Sequence, residues 1–375
     1  MRNEATSFQA AGQEIIARLN ARWDVRLDDL INNPALDFEQ RRQLLTSKMV
    51  ECALTEIDEY HHAMGLPIED RVDSQTLIEQ AMSAQGVELE PNLSFLESRF
   101  REIREYRGDR VKDFIVTLSN RLEVMSQAKS PGQLALEILT AGLFSVGTSM
   151  AGLTIGALRA GQVLSVALRI GVTSLGIKTA VVVVVIVLAA FLLYLFMENP
   201  KKILGLVLND TDDDLVVRDW RRGVDGGTGG ELFMQHGHMA NFPEDHATGD
   251  LSSPLVQIRK RAFFGPNDPD NVVFAGFYFA NKNFGLRGAE GVMLFQPGAS
   301  NKRYAHMFAC PYVNDNGTNM RPVHGGAGQL PGLYRDMYNT RRERVDFVHD
   351  GVRMTSTVNH PRGGVVGLIA SFSKV

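Results

Sequence analysis

Apolar positions recur at helical spacing through the first third of the chain. A first helix is expected from about Thr6 to Trp23, before a break at Asn33-Pro34. Asp37 caps a second, with Gln40 as its capping-box partner, and Phe38, Leu44, Leu45, Met49, Cys52 and Leu54 fit one face until Gly65 and Pro67 stop it. Ser74 to Gln85 reads as a short third helix closed by Gly86. Ser94 to Met125 reads as a long fourth helix, with Phe100, Ile103, Val111, Phe114, Ile115, Leu118 and Leu122 on its apolar stripe. Ser130-Pro131-Gly132 interrupts the pattern.

Periodicity then gives way to near-continuous apolarity. Leu134 to Met197 is broken by charge only at Glu137, Arg159, Arg169 and Lys178, and Ala180–Met197 carries none. A helix apolar on every face is wrapped by protein or lies in lipid. Three segments are expected: Ile138–Leu158, rich in small residues that let helices approach closely; Gly161–Ile177, with Arg169 near its centre; and Ala180–Met197. Leu, Ile, Val and Phe each favour the bilayer by roughly 0.3–0.6 kcal/mol, whereas a central Arg costs roughly 2.5–3.5 kcal/mol. The first and third segments are therefore the expected inserting pair, through Ile138, Leu143, Phe144, Val146, Leu153 and Ile155 in one and Val181, Val184, Ile186, Leu188, Phe191, Leu192 and Leu195 in the other. The middle segment serves as their turn or as a pore-facing part. Glu198-Asn199-Pro200-Lys201-Lys202 is a polar stop.

Beyond Lys202 the pattern changes again. Short β-branched and aromatic runs alternate with Gly, Asn, Asp and Pro clusters: ILGLVL, DLVVRDW, LVQIRKRAFF, NVVFAGFYFA, GVMLF, YAHMFA, GVRMTSTV and GVVGLIASFS. That spacing predicts an antiparallel sandwich with little helix. The fold class is thus α+β in two domains: an N-terminal helical bundle with a central hydrophobic hairpin, then a β-sandwich. The boundaries fall at 1–132 for the helical domain, 133–200 for the hydrophobic segment packed with it, and 201–375 for the sandwich.

Composition narrows the chemistry. A net charge of −4 over 375 residues argues against a nucleic-acid partner. Cys52 and Cys310 fall in different expected domains, so no disulfide framework is expected. The first residues lack the apolar core of a secretory signal, so export would follow another route or lysis. His236-Gly237-His238, with His246 downstream, has metal-like content, since alternate residues of a strand share a face. It lacks a clear further ligand, and surface histidines are the preferred reading. No phosphate loop, zinc-protease helix, serine elbow or dinucleotide fingerprint is present, so neither an enzyme nor a cofactor or metal is expected. The run Arg341-Arg342-Glu343-Arg344 reads as a solvated loop, with contact to anionic lipid as its alternative.

Arg303–Val323 (RYAHMFACPYVNDNGTNMRPV), then LYRDMYN at Leu333–Asn339 and GVRMTSTVNHPRGGVVGLIASFS, resemble actinoporins and the related fungal fruit-body lectins. The resemblance covers roughly the last 75 residues and extends weakly back to KKILGLVLNDTDDD. It implies a β-sandwich of actinoporin type whose aromatic loop and tyrosine cluster meet lipid headgroups. Pro311, Tyr312, Tyr334 and Tyr338 match family positions. Met320 and Arg321 stand where the family has loop tryptophans, and Asn339 replaces a third tyrosine, so choline capture loses its best rings. Pro311, Tyr312, Met320, Arg321, Tyr334 and Tyr338 are the expected lipid or receptor site.

Together these readings lead to the expectation of a pore-forming toxin. It would dock on a target cell membrane, at a lipid or glycan, through the β-domain. It would then insert the hydrophobic hairpin as a homo-oligomer, with or without a second toxin component. The alternative is a constitutive integral membrane protein carrying a lectin-like recognition domain; an enzyme built on the His236/His238/His246 group is the third reading.

Overall fold

The computed structural model describes residues 3–36, 38–65, 93–129, 131–146, 148–175, 185, 189, 201–218, 231–240, 254–263, 270–282, 286–324 and 329–375. The expected third helix, the Asp37 cap and nearly all of Ala180–Met197 lie outside them. Packing of the chain defines two units. One comprises Thr6–Ser94 and Val116–Glu198; the other comprises Met1–Ala5, Phe95–Ile115 and Asn199–Val375.

The first unit is helical. It holds α1 (Asn3–Trp23), α2 (Leu27–Ile31) and α3 (Phe38–Ala63). The expected fourth helix is three elements instead: strand β1 (Leu93–Leu96), α4 (Glu97–Arg104) and α5 (Asp109–Met125). Gly108, the weakest non-proline helix former in the run, marks the break, and α4 belongs to the second unit. Further on, Pro131 does not interrupt a helix but begins one, α6 (Pro131–Thr140), where its missing N–H costs nothing. The expected continuous crossing over Ile138–Leu158 is also divided. Gly142 takes a left-handed φ of 74°, strand β2 (Leu143–Val146) follows, and then α7 (Thr148–Arg159) and α8 (Leu164–Leu175).

Helices of 10, 12 and 12 residues rise only about 15–18 Å, against about 30 Å of bilayer hydrocarbon. Among the described residues no helix is long and apolar enough to cross a membrane. Ile138, Leu143, Phe144 and Ile155 are buried in this unit and Leu153 is partly exposed; Val146 ends β2. Gly171 of α8 lies against Thr154 of α7 with no room for a side chain, so the two helices approach closely. Val185 and Ala189 are helical and buried, while Val181, Val184, Ile186, Leu188, Phe191, Leu192 and Leu195 are outside the described residues.

The second unit is built on two sheets, made of β3 (Lys202–Asp210), β4 (Leu215–Arg218), β5 (Leu232–His236), β6 (His238–Ala240), β7 (Pro254–Ile258), β8 (Ala262–Phe263), β9 (Asn271–Asn281), β10 (Ala289–Pro297), β11 (Arg303–Cys310), β12 (Gly317–Val323), α9 (Leu330–Asn339), β13 (Arg344–His349), β14 (Val352–Val358) and β15 (Val365–Lys374). One sheet runs β13-β14-β15-β3-β9, with β6 and β8 also on β9; the other runs β12-β11-β10-β4-β7, with β5 also on β10. The expectation of purely antiparallel pairing fails at one place: β15 pairs with β3 in parallel, Val365 opposite Lys202. The whole sandwich separates these strands in sequence, so the connection has the length that parallel pairing requires.

The core lies between the sheets. Phe295 of β10 stacks edge-on against Phe372 of β15 at 5.3 Å, and Thr318 of β12 shares a 2.7 Å hydrogen bond with Ser356 of β14. Gly205 of β3 faces Tyr278 of β9, and the phenol ring fills the space where a side chain would stand. Segment 97–105 lies on this sandwich. Asn271 donates to Glu97 at 2.6 Å, and Arg344 donates to the Arg104 carbonyl at 3.0 Å and pairs with Glu105 at 3.2 Å.

Candidate functional site

The register fixes which loops share an end. Lys202 opposes both Val365 and Asn281, so the entry to β3, the β9–β10 loop and the β14–β15 loop lie together. Ala289 opposes Cys310, which brings the β11–β12 loop to that same end. Hydrogen bonds tie the loops across the sheets. The Lys202 amide donates to the Gly364 carbonyl at 2.8 Å, Lys282 to Lys201 at 3.1 Å, and Asn316 to Pro361 at 2.6 Å. The Cys310 thiol lies 3.6 Å from the Gly364 carbonyl, buried and pushed up to about 12 by desolvation, so it is a packing group and not a nucleophile.

This end exposes apolar side chains at its tips. Val313 is 85% exposed, Leu286 75% and Tyr312 43%. The fold pins the tips from behind: Gly288 packs on Cys310 and Pro311 with no space for a Cβ, and Pro311 is buried. Basic side chains surround them. The Lys201 ammonium stands 5.9 Å from the Tyr312 ring centre, and Lys201 itself has a left-handed φ of 81°. The Arg341 guanidinium lies 3.8 Å over the Tyr338 ring, donating to the carbonyls of Tyr338 (2.8 Å) and Asp315 (3.1 Å). Arg362 pairs with Asp315 at 3.2 Å.

The expected site residues divide between this surface and the core. Tyr312 is at the tip. Tyr338 is half-buried on α9; burial raises its phenol, and Asn314 donates to its oxygen at 3.3 Å. Tyr334, one turn back, is 4% exposed and packs on Phe233 with ring centres 5.8 Å apart. Its hydroxyl donates to the buried Glu290 carboxylate at 2.8 Å; desolvation, then that carboxylate, hold the phenol far above its ordinary range. Met320 and Arg321 occupy strand β12, not a loop. Met320 is 2% exposed opposite His306, and Arg321 reaches Asp336 at 3.7 Å.

His236 and His238 do not share a strand face. Gly237 between them takes a φ of 83°, and the chain switches sheets there: His236 opposes Glu290 of β10 and His238 opposes Asn281 of β9. His246 is outside the described residues, and among those described no cluster of three His, Cys, Asp or Glu side chains could hold a metal. Leu286, Val313 and Arg362 are not among the expected site residues, and Lys201 figures in the sequence only as part of the polar stop. The available signal was weak: apolar or basic residues inside the turn-rich runs NFGLRG, YVNDNG and NHPRGG.

No protein-family model and no curated protein matches the chain. Among solved structures, it is similar to the lipid-binding protein Nakanori at 10% identity, over 47% of this chain and 73% of that one, with a TM-score of 0.34. It is also similar to the wild-type Xerocomus chrysenteron lectin at 10% identity, over 47% of this chain and all of that one (100%), with a TM-score of 0.25. A triply substituted form of that lectin matches at 9% identity, over 47% and 99%, with a TM-score of 0.26. These are partial likenesses at low scores, and they leave function to be read from the site.

Proposed function

We propose that the sandwich docks on a bilayer by its loop end and that the apolar stretch Leu134–Met197 then enters the membrane and assembles with other copies into a pore. One observation carries this reading: exposed Tyr312, Val313 and Leu286 project from the end at which the chain enters the sandwich. The residues between Met197 and Lys201 span at most about 14 Å when fully extended. Docking by this end therefore brings the close of the most apolar segment within one leaflet's depth of the surface, whatever its conformation. Aromatic and aliphatic tips ringed by Lys and Arg suit the interfacial region, where apolar groups sit in the headgroup–acyl boundary and cations meet phosphate.

Insertion exchanges protein contacts around an apolar surface for lipid contacts, so its cost is mainly that of releasing the helices α6 to α8 from their own packing. The shortness of those helices supports a second, narrower reading, in which the sandwich recognises a lipid or glycan and the helical unit stays folded.

Dye-loaded vesicles incubated with the full chain test both. Binding with release of dye supports pore formation. Binding with intact vesicles overturns it and leaves the recognition reading. A chain extracted only by detergent would favour a constitutive membrane protein.

A further inference from the structure

We infer that the loop end selects anionic phospholipid headgroups and excludes a choline ammonium, a refinement that rests on the bilayer-docking reading above. A quaternary ammonium is held by open aromatic faces. Here each of the two outer rings already has one of the protein's own cations over a face. Arg341 covers Tyr338 at 3.8 Å and Lys201 stands over Tyr312 at 5.9 Å, while Tyr334 is in the core with its hydroxyl committed to Glu290. An incoming ammonium would have to displace a guanidinium held by two carbonyls and would meet like charge on both sides.

The same arrangement favours phosphate. The acceptors that fix Arg341 are the neutral carbonyls of Asp315 and Tyr338, and among the described residues neither Arg341 nor Lys201 is paired with a carboxylate. Lys282, Arg342 and Arg362 stand at the same end, with the carboxylates of Asp315, Glu343, the buried Glu290 and, beside His360, Asp109. The cations that matter are thus the two at the exposed rings, Lys201 and Arg341, whose charge no described carboxylate neutralises on a chain whose net charge is −4. A guanidinium stacked on a ring keeps its edge for oxygen atoms, and a phosphate oxygen takes that edge in a charge-assisted hydrogen bond. Tyr312, Val313 and Leu286 then enter between headgroups that the cations have already gathered.

The test is co-sedimentation of the full chain with vesicles of phosphatidylcholine alone and of phosphatidylcholine mixed with phosphatidylserine, at low and high salt. Binding is expected to rise at least about tenfold with phosphatidylserine and to weaken with salt. Losing two surface cations in Lys201→Gln/Arg341→Gln should weaken the serine-dependent binding about thirtyfold, and Lys201→Gln alone about fivefold. Arg341→Lys, which keeps the charge, should retain most of it. Equal, salt-insensitive binding to both vesicles, or competition by soluble phosphocholine, overturns the headgroup assignment while bilayer docking stands. Binding to neither overturns docking itself and this inference with it.

Discussion

The phenol of Tyr278 on β9 and Nε2 of His306 on β11 lie 2.8 Å apart, a hydrogen bond joining the two sheets through the middle of the sandwich. Both groups are wholly buried, and among the described residues Nδ1 of His306 has no hydrogen-bond partner. Desolvation lowers His306 from 6.5 to about 3. The unfolded chain takes up this proton near pH 6.5 and the folded chain only near pH 3. Stability should therefore fall as pH drops through that window, by on the order of a few kcal/mol from this group. Urea midpoints between pH 7 and pH 4 should decline in the parent chain. They should decline less in a His306→Leu/Tyr278→Phe variant, and an unchanged slope would remove His306 as the cause.

Asp210 gives a slope of the opposite sign. Desolvation raises its carboxyl from 3.8 to about 6; the Glu97 carboxylate adds to this, and Arg261, 3.8 Å away, opposes it. Between those values the folded state keeps a proton that the unfolded state has released, so this group destabilises the fold as pH rises through the window. Above it the cost is complete, on the order of 2–3 kcal/mol. Asp210→Asn should raise stability at pH 7.5 and have little effect at pH 4, and Arg261 keeps Asp212 at 2.8 Å. Denaturation of the variant at both pH values reads this directly.

Gly205 and Tyr278 depend on each other. Gly205→Ala puts a methyl group into the Tyr278 ring in a central strand flanked by β15 and β9, so a loss of about 3 kcal/mol or more is expected. In a Tyr278→Ala background the same change should cost much less, because the obstruction is gone. A double-mutant cycle by thermal melting measures the coupling, and additive losses would show that the glycine is needed for another reason.

Much of the sandwich was legible because β-strands announce themselves by local runs, and NVVFAGFYFA and GVVGLIASFS became β9 and β15. Strands with charged or polar alternation did not: Arg344–His349 and Gly317–Val323 pair through their backbones while carrying Arg, Asp and Asn. Helix continuity fails in Ser94–Met125 and Ile138–Leu158: Gly108 and Gly142 take left-handed φ values of 54° and 74°, and Leu93–Leu96 pairs as a strand. The tyrosines were visible as a set, but which of them faces water depends on the orientation of α9. Side chains at Tyr334 and Tyr338 differ by one helical turn, yet Tyr334 is 4% exposed with its hydroxyl on Glu290, while Tyr338 is half-buried under the Arg341 guanidinium. Of the basic ring only the run Arg341-Arg342-Glu343-Arg344 was legible, as an alternative to a solvated loop; Lys201 and Arg362 come from loops too distant in sequence to be joined to it.

Tyr334 should accordingly act on stability and not on docking. Tyr334→Phe removes the 2.8 Å donor from the buried Glu290 carboxylate, and an unsatisfied buried acceptor costs about 1–3 kcal/mol. The unfolding free energy from urea titration should fall by that amount, while vesicle binding measured well below the melting temperature stays as in the parent chain. A loss of binding without a loss of stability would move Tyr334 from the core to the site.

Tyr312 and Val313 should show the reverse. Their side chains project at the tip of the β11–β12 loop, and replacing exposed groups changes folding stability by no more than about 0.5 kcal/mol. At a bilayer surface they leave water, and partial burial of two such side chains is worth roughly 1–3 kcal/mol. Tyr312→Ser/Val313→Ser should therefore weaken vesicle binding about tenfold or more with an unchanged melting temperature. Val348, 56% exposed on β13 next to the Asp350-Gly351 turn at the far end of the sandwich, supplies the control. If Val348→Ser weakens binding as much as the tip variant does, exposed apolarity in general is responsible, and the loop end loses its claim to be the docking surface.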